Sequence, residues 1–131
     1  MSPVKLDLTP LRRSLSALRK VVPMDLEDEV VRDAAIKRLE FTSEIAWKMM
    51  KRHLEWTGQS ELTAIPRREL FQMAARTSLI DDPARWFNYP EGRNLTSHTY
   101  DADNARKVAS LLKEFAKDTG KLQNALKEFH A

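Results

Sequence analysis

The sequence predicts an all-α fold, an up-and-down bundle of four or five helices, and three observations carry that reading. No segment shows a convincing run of alternating apolar and polar residues with β-branched enrichment. Apolar residues recur instead at spacings of three and four. Prolines and capping residues punctuate these stretches at short intervals, and short connections between helices favour an up-and-down path.

Thr9 followed by Pro10 reads as an N-cap with Pro at the first helical position, and Leu11, Leu15, Leu18 and Val22 then recur at helical spacing until Pro23 stops the pattern. From about Leu26 to Trp56 there is neither Gly nor Pro, and Gly58 stands where a left-handed C-terminal cap is expected. The apolar residues of this long second helix (Val30, Val31, Ala34, Ala35, Leu39, Ile45, Ala46, Met49, Leu54) occupy more than one narrow stripe. It should therefore face several neighbours, with apolar surface left over for a dimer contact. Ile65-Pro66 opens a shorter third helix carrying Leu70, Met73 and Ala74, and Asp82-Pro83 repeats the cap-plus-Pro signature for a fourth.

Pro90 and Gly92 then interrupt, and a kink or break is expected between Trp86 and Arg93, because an internal Pro removes one hydrogen bond and clashes with the preceding turn. Asp101 or Asp103 is placed to cap the last helix, in which Val108, Leu112, Phe115, Thr119, Leu122, Leu126 and Phe129 alternate spacings of four and three. Gly120 is a point at which that helix is expected to break or bend. No internal repeat is present.

A chain of 131 residues is large enough for one core and too small for two, so residues 1–131 are read as a single domain. With 42% hydrophobic and 31% charged residues the balance is that of a soluble globular protein. The absence of Cys excludes disulfides and thiolate zinc sites and fits a reducing cytoplasm. The first residues contain Asp7 and no apolar run of signal-peptide length, and nothing later approaches a bilayer span. A net charge of +3 permits a polyanionic partner without requiring one.

Reactive side chains are densest in Arg93-Asn94-Leu95-Thr96-Ser97-His98-Thr99-Tyr100. On an ideal helix Arg93, Ser97 and Tyr100 share a face, whereas His98 lies about 140° round from Arg93. Arg and His converge only if the helix ends or distorts between them, or if two chains share one cleft. Taken without family context, the stretch also reads as a helix C-terminus whose His caps carbonyls.

This octapeptide resembles the Arg-x4-His-x-Tyr signature of HepT-type HEPN proteins, which are also described as nucleotidyltransferase substrate-binding proteins. The segment Arg38-Leu39-Glu40-Phe41-Thr42-Ser43-Glu44-Ile45-Ala46-Trp47-Lys48 is similar to that family's long-helix pattern, and Ser78-Leu79-Ile80-Asp81-Asp82 precedes the motif helix as it does there. The resemblance runs from about Leu6 to Phe115. Ser43, where an aromatic is usual, and Pro90 with Gly92, in place of a more regular approach to the Arg, are departures.

The resemblance implies a HEPN-like bundle acting as an isologous homodimer, with two Arg–His motifs facing one cleft. It implies metal-independent RNA cleavage without a cofactor, in which His98 moves the proton of a ribose 2′-OH and Arg93 stabilises charge on the phosphoryl oxygens. Asn94 would orient substrate or the His. Tyr100 matches the hydroxyl that a partner nucleotidyltransferase of the MNT type adenylylates, an antitoxin step that sets negative charge and bulk beside the cleft. The rival reading is a non-catalytic subunit that presents a substrate to that nucleotidyltransferase, and a third is a structural helical dimer.

The remaining candidates carry plainer readings. His53 and His130 have no metal-ligand spacing around them and are read as structural or solvent-facing. Arg12, Arg13, Arg19, Lys20, Arg67 and Arg68 are read as a solvated basic face, with an RNA backbone as the alternative. Trp47, Trp56 and Trp86 are read as core or interface residues rather than base-stacking platforms.

Overall fold

The structure, a computed structural model, describes residues 5–58, 62, 64–89 and 102–130, with side chains in the last stretch from 106 onward. Five helices are present among these residues: α1 (Thr9–Val21), α2 (Glu29–Trp56), α3 (Arg67–Arg76), α4 (Pro83–Asn88) and α5 (Ala102–His130). No strand occurs among the described residues. The predicted all-α bundle is therefore the observed one.

Local chemistry accounts for most of the helix ends. Asp28 caps α2, its carboxylate accepting from the backbone N–H of Val30 (2.9 Å) and Val31 (3.4 Å). Asp82 caps α4 by accepting from Ala84 N–H at 2.9 Å, and Pro83 fills the first helical position, as the sequence predicts. Gly58, at φ +96°, follows α2 in the conformation expected of it. Thr9, expected as the cap of α1, is instead its first residue. Its N–H donates to Asp7 Oδ1 at 3.0 Å, so the turn is closed one step earlier by an Asx-type contact.

Helix α3 ends in a way the sequence does not announce. Ser78, at φ +65°, takes the left-handed position; its N–H donates to Ala75 O (3.1 Å), and Leu79 N–H donates to Ala74 O (2.9 Å). These two bonds are the Schellman pattern, with buried Leu79 supplying its apolar contact. Helix α5 runs unbroken through Gly120, against expectation. A Cβ at Gly120 would meet the Arg19 guanidinium at 2.7 Å, so the glycine permits a close approach of the α1 side chain rather than a bend.

Helix α1 packs against α2 and α5, α2 against α3 and α5, and α3 against α4. The core is built from the predicted positions: Leu11, Leu15 and Leu18 of α1, Ala35, Leu39, Ala46, Met49 and Leu54 of α2, and Val108, Leu112, Phe115, Leu122 and Leu126 of α5 are all buried. Phe129, placed by the same heptad-like spacing, is 44% exposed, and Val30 and Phe41 of α2 are 77% and 61% exposed. Trp86 is buried, and Trp47 and Trp56 are half-buried, in keeping with packing roles. No helix among the described residues is long and apolar enough to cross a membrane.

Candidate functional site

The motif residues Arg93, Asn94, His98 and Tyr100 lie outside the described residues, as do Pro90, Gly92 and Asp101. What the structure describes is the frame from which the motif segment leaves and to which it returns: the end of α4 and the start of α5.

That frame is fixed by a buried polar cluster. Arg85 and Tyr89 are four residues apart, hence on one face of the α4 turn, and flank Trp86. Arg85 donates from Nε and a terminal nitrogen to both carboxylate oxygens of Asp118 on α5, at 2.9 and 3.0 Å. The Tyr89 hydroxyl donates to the same carboxylate. Tyr89 is fully buried and the Asp118 side chain is 5% exposed. Around them the rings of Trp86, Tyr89 and Phe115 meet edge-on, with centroids 4.8–5.9 Å apart, and Phe71 of α3 joins at 6.2 Å from Trp86.

Burial pushes the Asp118 carboxyl up, but the Arg85 and Tyr89 hydrogen bonds outweigh it and hold the group below its ordinary value, so Asp118 stays ionised. Burial, and then the bond to Asp118, push the Tyr89 phenol well above its ordinary range. Arg85 is held charged chiefly by its bond to Asp118. The cluster is therefore a fixed cation, a fixed anion and a neutral phenol. It clamps the residue four positions before Arg93 to the middle of α5. Ala102 precedes Asp118 by 16 residues, about 24 Å along the helix axis, so Tyr89 and Ala102 are held well apart.

None of Arg85, Tyr89 and Asp118 was singled out by sequence reasoning. The available signals were weak: a four-residue spacing in α4, and an acid between the apolar positions Phe115, Thr119 and Leu122 of α5.

The two histidines read as structural or solvent-facing are brought together at the opposite end of α5. Leu6 N–H donates to His130 Nδ1 (3.1 Å), which leaves His130 Nε2 to donate to His53 Nδ1 (2.8 Å). Both rings are buried, so the solvent alternative does not hold, and Trp56 and Phe129 pack around them. Burial is the first cause lowering both pKa values, followed by His130 for His53 and Lys5 for His130.

The basic residues divide. Arg67 pairs with Glu44 at 2.8 Å and lies 5.0 Å over the Trp47 ring, which Lys51 also approaches at 5.3 Å. Trp47 thus packs against two cations, one of them already paired with Glu44, in keeping with a packing role. Arg68 sits 4.6 Å over Phe87 and lines a groove between α3 and α4. Arg12, Arg13, Arg19 and Lys20 are exposed, as a solvated face requires, although Arg19 also covers Gly120.

Residues 6–128 match the family model described as nucleotidyltransferase substrate binding protein like. A Haemophilus influenzae protein described as a probable ribonuclease HepT is 30% identical, over 95% of this chain and 94% of that protein. A solved H. influenzae structure, presented as the fold of a substrate binding domain of a nucleotidyltransferase, superposes with a TM-score of 0.76 at 27% identity, covering 92% of this chain and 99% of that one. A Thermus thermophilus crystal structure superposes with a TM-score of 0.73 at 26% identity, covering 89% and 98%. With nearly the whole length matched in both sequence and fold, the chain belongs to the nucleotidyltransferase substrate-binding-protein-like family, the HepT-like group that its motif resembles.

Proposed function

We propose that this chain is the metal-independent endoribonuclease toxin of a HepT/MNT-type toxin–antitoxin pair, a cytoplasmic, single-domain protein acting as an isologous homodimer. The observation that carries the reading is the sequence Arg93-x4-His98-x-Tyr100 in a chain matched almost end to end by a protein described as a probable ribonuclease HepT. His98 serves as the acid or base for the 2′-OH, and Arg93 stabilises the phosphoryl charge. Asn94 orients substrate or the His. The 77% and 61% exposure of Val30 and Phe41 on α2 leaves apolar surface that a second copy would cover.

The test is cleavage of RNA by the purified, unmodified protein in excess chelator. Products should carry 2′,3′-cyclic phosphate ends, because the 2′-OH is the internal nucleophile. Arg93→Ala and His98→Ala should each lower the rate about 10²–10⁴-fold. A strict need for a divalent ion, or equal cleavage by His98→Ala, refutes the assignment.

Neutralisation is assigned to AMP transfer from a cognate nucleotidyltransferase onto Tyr100, which adds negative charge beside the cleft. Co-expression with the partner should raise the mass of this chain by AMP units on Tyr100, and Tyr100→Phe should abolish that gain. If AMP is absent while toxicity is still suppressed, inhibition works by binding alone.

The family description and the Haemophilus structural neighbour favour a second reading, a non-catalytic subunit that presents substrate to a nucleotidyltransferase. The same chelator assay separates the two, since a presenting subunit leaves RNA intact.

A further inference from the structure

We infer that the groove between α3 and α4, lined by Arg68, Gln72, Phe87 and Asn88, is a subsite that seats one base of single-stranded RNA within a few nucleotides of the scissile bond. The inference rests on the endoribonuclease reading and adds to it a place for the substrate outside the Arg–His motif.

The groove encloses about 390 Å³, within the range of small-ligand sites, with Pro83 and Ala84 completing its lining. Arg68 and Gln72 are four residues apart on α3 and so share a face; Ala84, Phe87 and Asn88 are spaced to share a face of α4. The two faces oppose one another across the groove. One wall thus presents a guanidinium and a carboxamide, and the other an aromatic ring and a second carboxamide. A nucleobase needs these groups: a flat apolar surface to stack on and neutral donors and acceptors for its edges, with a cation for the neighbouring phosphate.

Phe87 is 42% exposed, unlike Trp86 beside it, so its ring is placed where a ligand reaches it. The charges nearby sharpen the contrast. Arg67 is neutralised by Glu44, Arg85 by Asp118 and Lys121 by Asp81. Among the described residues no carboxylate pairs with Arg68, whose guanidinium lies instead over the Phe87 ring at 4.6 Å. A guanidinium held against an aromatic ring offers a charge to a phosphate and a planar surface on which a base stacks.

Chain geometry ties the groove to the motif. Asn88 precedes Arg93 by five residues, so their Cα atoms are at most about 18 Å apart, a span that a few nucleotides of extended RNA cover. Tyr89, next to Asn88, is clamped to α5 by Asp118, so the groove's α4 wall has a fixed position at the point where the motif segment departs.

The experiment uses the full chain and a short, mixed-sequence, fluorescein-labelled single-stranded RNA. Cleavage kinetics are read for the wild type, Phe87→Ala, Phe87→Tyr and Arg68→Gln. Equilibrium binding is read by anisotropy with the same changes placed on His98→Ala. Phe87→Ala should raise KM and Kd about tenfold, the effect falling on KM rather than on kcat, because stacking on an aromatic is worth roughly 5- to 100-fold per base. Phe87→Tyr, which keeps the ring, should recover most of that loss. Arg68→Gln should weaken binding and lower the slope of log Kd against log salt by about 1.

If the wild type cleaves RNA while Phe87→Ala leaves KM and Kd unchanged, the groove assignment fails and the ribonuclease reading stands. If Phe87→Ala and Arg68→Gln spare RNA binding but impair capture of the nucleotidyltransferase, the groove belongs to the protein partner and the inference is overturned. If neither wild type nor His98→Ala binds RNA, both readings fall together.

Discussion

Two buried polar clusters tie distant parts of this chain together, and they differ in kind. At one end of the bundle, where the start of α1 meets the ends of α2 and α5, His53, His130 and the Leu6 amide form a chain of neutral hydrogen bonds. Further along α5, Asp118 holds Arg85 and Tyr89 in a charged cluster at the root of the motif segment. The first excludes charge, because burial disfavours the imidazolium of both rings. The second depends on charge, because Asp118 is ionised only through the partners that surround it. The fold thus joins its outer segments through groups held neutral by burial, and anchors the end of α4 through groups held charged by one another.

The comparison breaks most severely at Asp118. Asp118→Ala would remove the main acceptor of a buried phenol, leaving it Glu114 Oε1 at 3.5 Å, and would leave the guanidinium of a one-third exposed Arg85 with the weaker Asp82 contact at 3.7 Å. Removing one partner of a buried pair costs about 3–5 kcal/mol, and the partial exposure of Arg85 puts the expected loss near the lower end, about 3 kcal/mol. Urea unfolding of the variant measures it. Tyr89→Phe, which keeps the ring among Trp86 and Phe115 and removes one hydrogen bond, should lose about 1–2 kcal/mol. A loss below that of Tyr89→Phe in Asp118→Ala would mean that the charged cluster contributes nothing beyond its phenol.

The second effect is a separation in pH. A histidine whose folded pKa is depressed stabilises the fold fully above its unfolded value of 6.5, and the contribution fades as the pH falls from there toward the folded value. Each histidine gives a slope of at most about 1.4 kcal/mol per pH unit in that window. Asp118, also depressed, contributes above its unfolded value of 3.8 and loses that contribution only below it. Stability should therefore begin to fall as the pH drops below 6.5 through the histidine cluster, before Asp118 contributes any loss. His53→Gln should flatten most of that slope while Asp118→Asn leaves it intact. A slope unchanged in His53→Gln would place the titration elsewhere and dissolve the contrast between the clusters.

These clusters also mark where sequence reasoning stops. Helix ends carried by local chemistry were legible: the Gly58 cap, the Asp82-Pro83 start, and the burial of Leu112, Phe115, Leu122 and Leu126 on one stripe. Thr9 was misplaced by one residue because Asp7 competes for the same turn. His53 and His130 are 77 residues apart, and Arg85 and Asp118 are 33 apart, so no spacing rule links them; only the packing of α5 against α2 and α4 does. Gly120 looked like a break because propensity weighs backbone entropy and is blind to the Arg19 side chain lying over it. The pattern Arg93 to Tyr100 was read from the sequence and lies outside the described residues, whereas the cluster at Tyr89 and Asp118 was not legible, because a buried Asp in an apolar stripe is explained only by partners from another helix.

The smallest expected effect lies in the helix ends that flank the two clusters, and there the two regions should respond with opposite signs. Gly58 follows α2 five residues after His53, at φ +96°, with no other atom within 4 Å of where a Cβ would stand. Ser78 closes α3 seven residues before Arg85, at φ +65°, in the position that glycine fills most readily. Neither site is limited by space; both are limited by backbone sterics, which cost an L-residue about 1–2 kcal/mol in the left-handed region. Gly58→Ala should therefore destabilise by about 1 kcal/mol. Ser78→Gly should stabilise by about 0.5 kcal/mol, the relief of strain being partly offset by the greater freedom of glycine in the unfolded chain. Both Schellman bonds, from Ser78 N–H to Ala75 O and from Leu79 N–H to Ala74 O, involve backbone alone, so the exchange leaves them in place. Thermal unfolding at neutral pH reads both signs. A loss of stability in Ser78→Gly would mean that the serine side chain holds the turn, and that the approach to the charged cluster is fixed by a contact rather than by the helix stop.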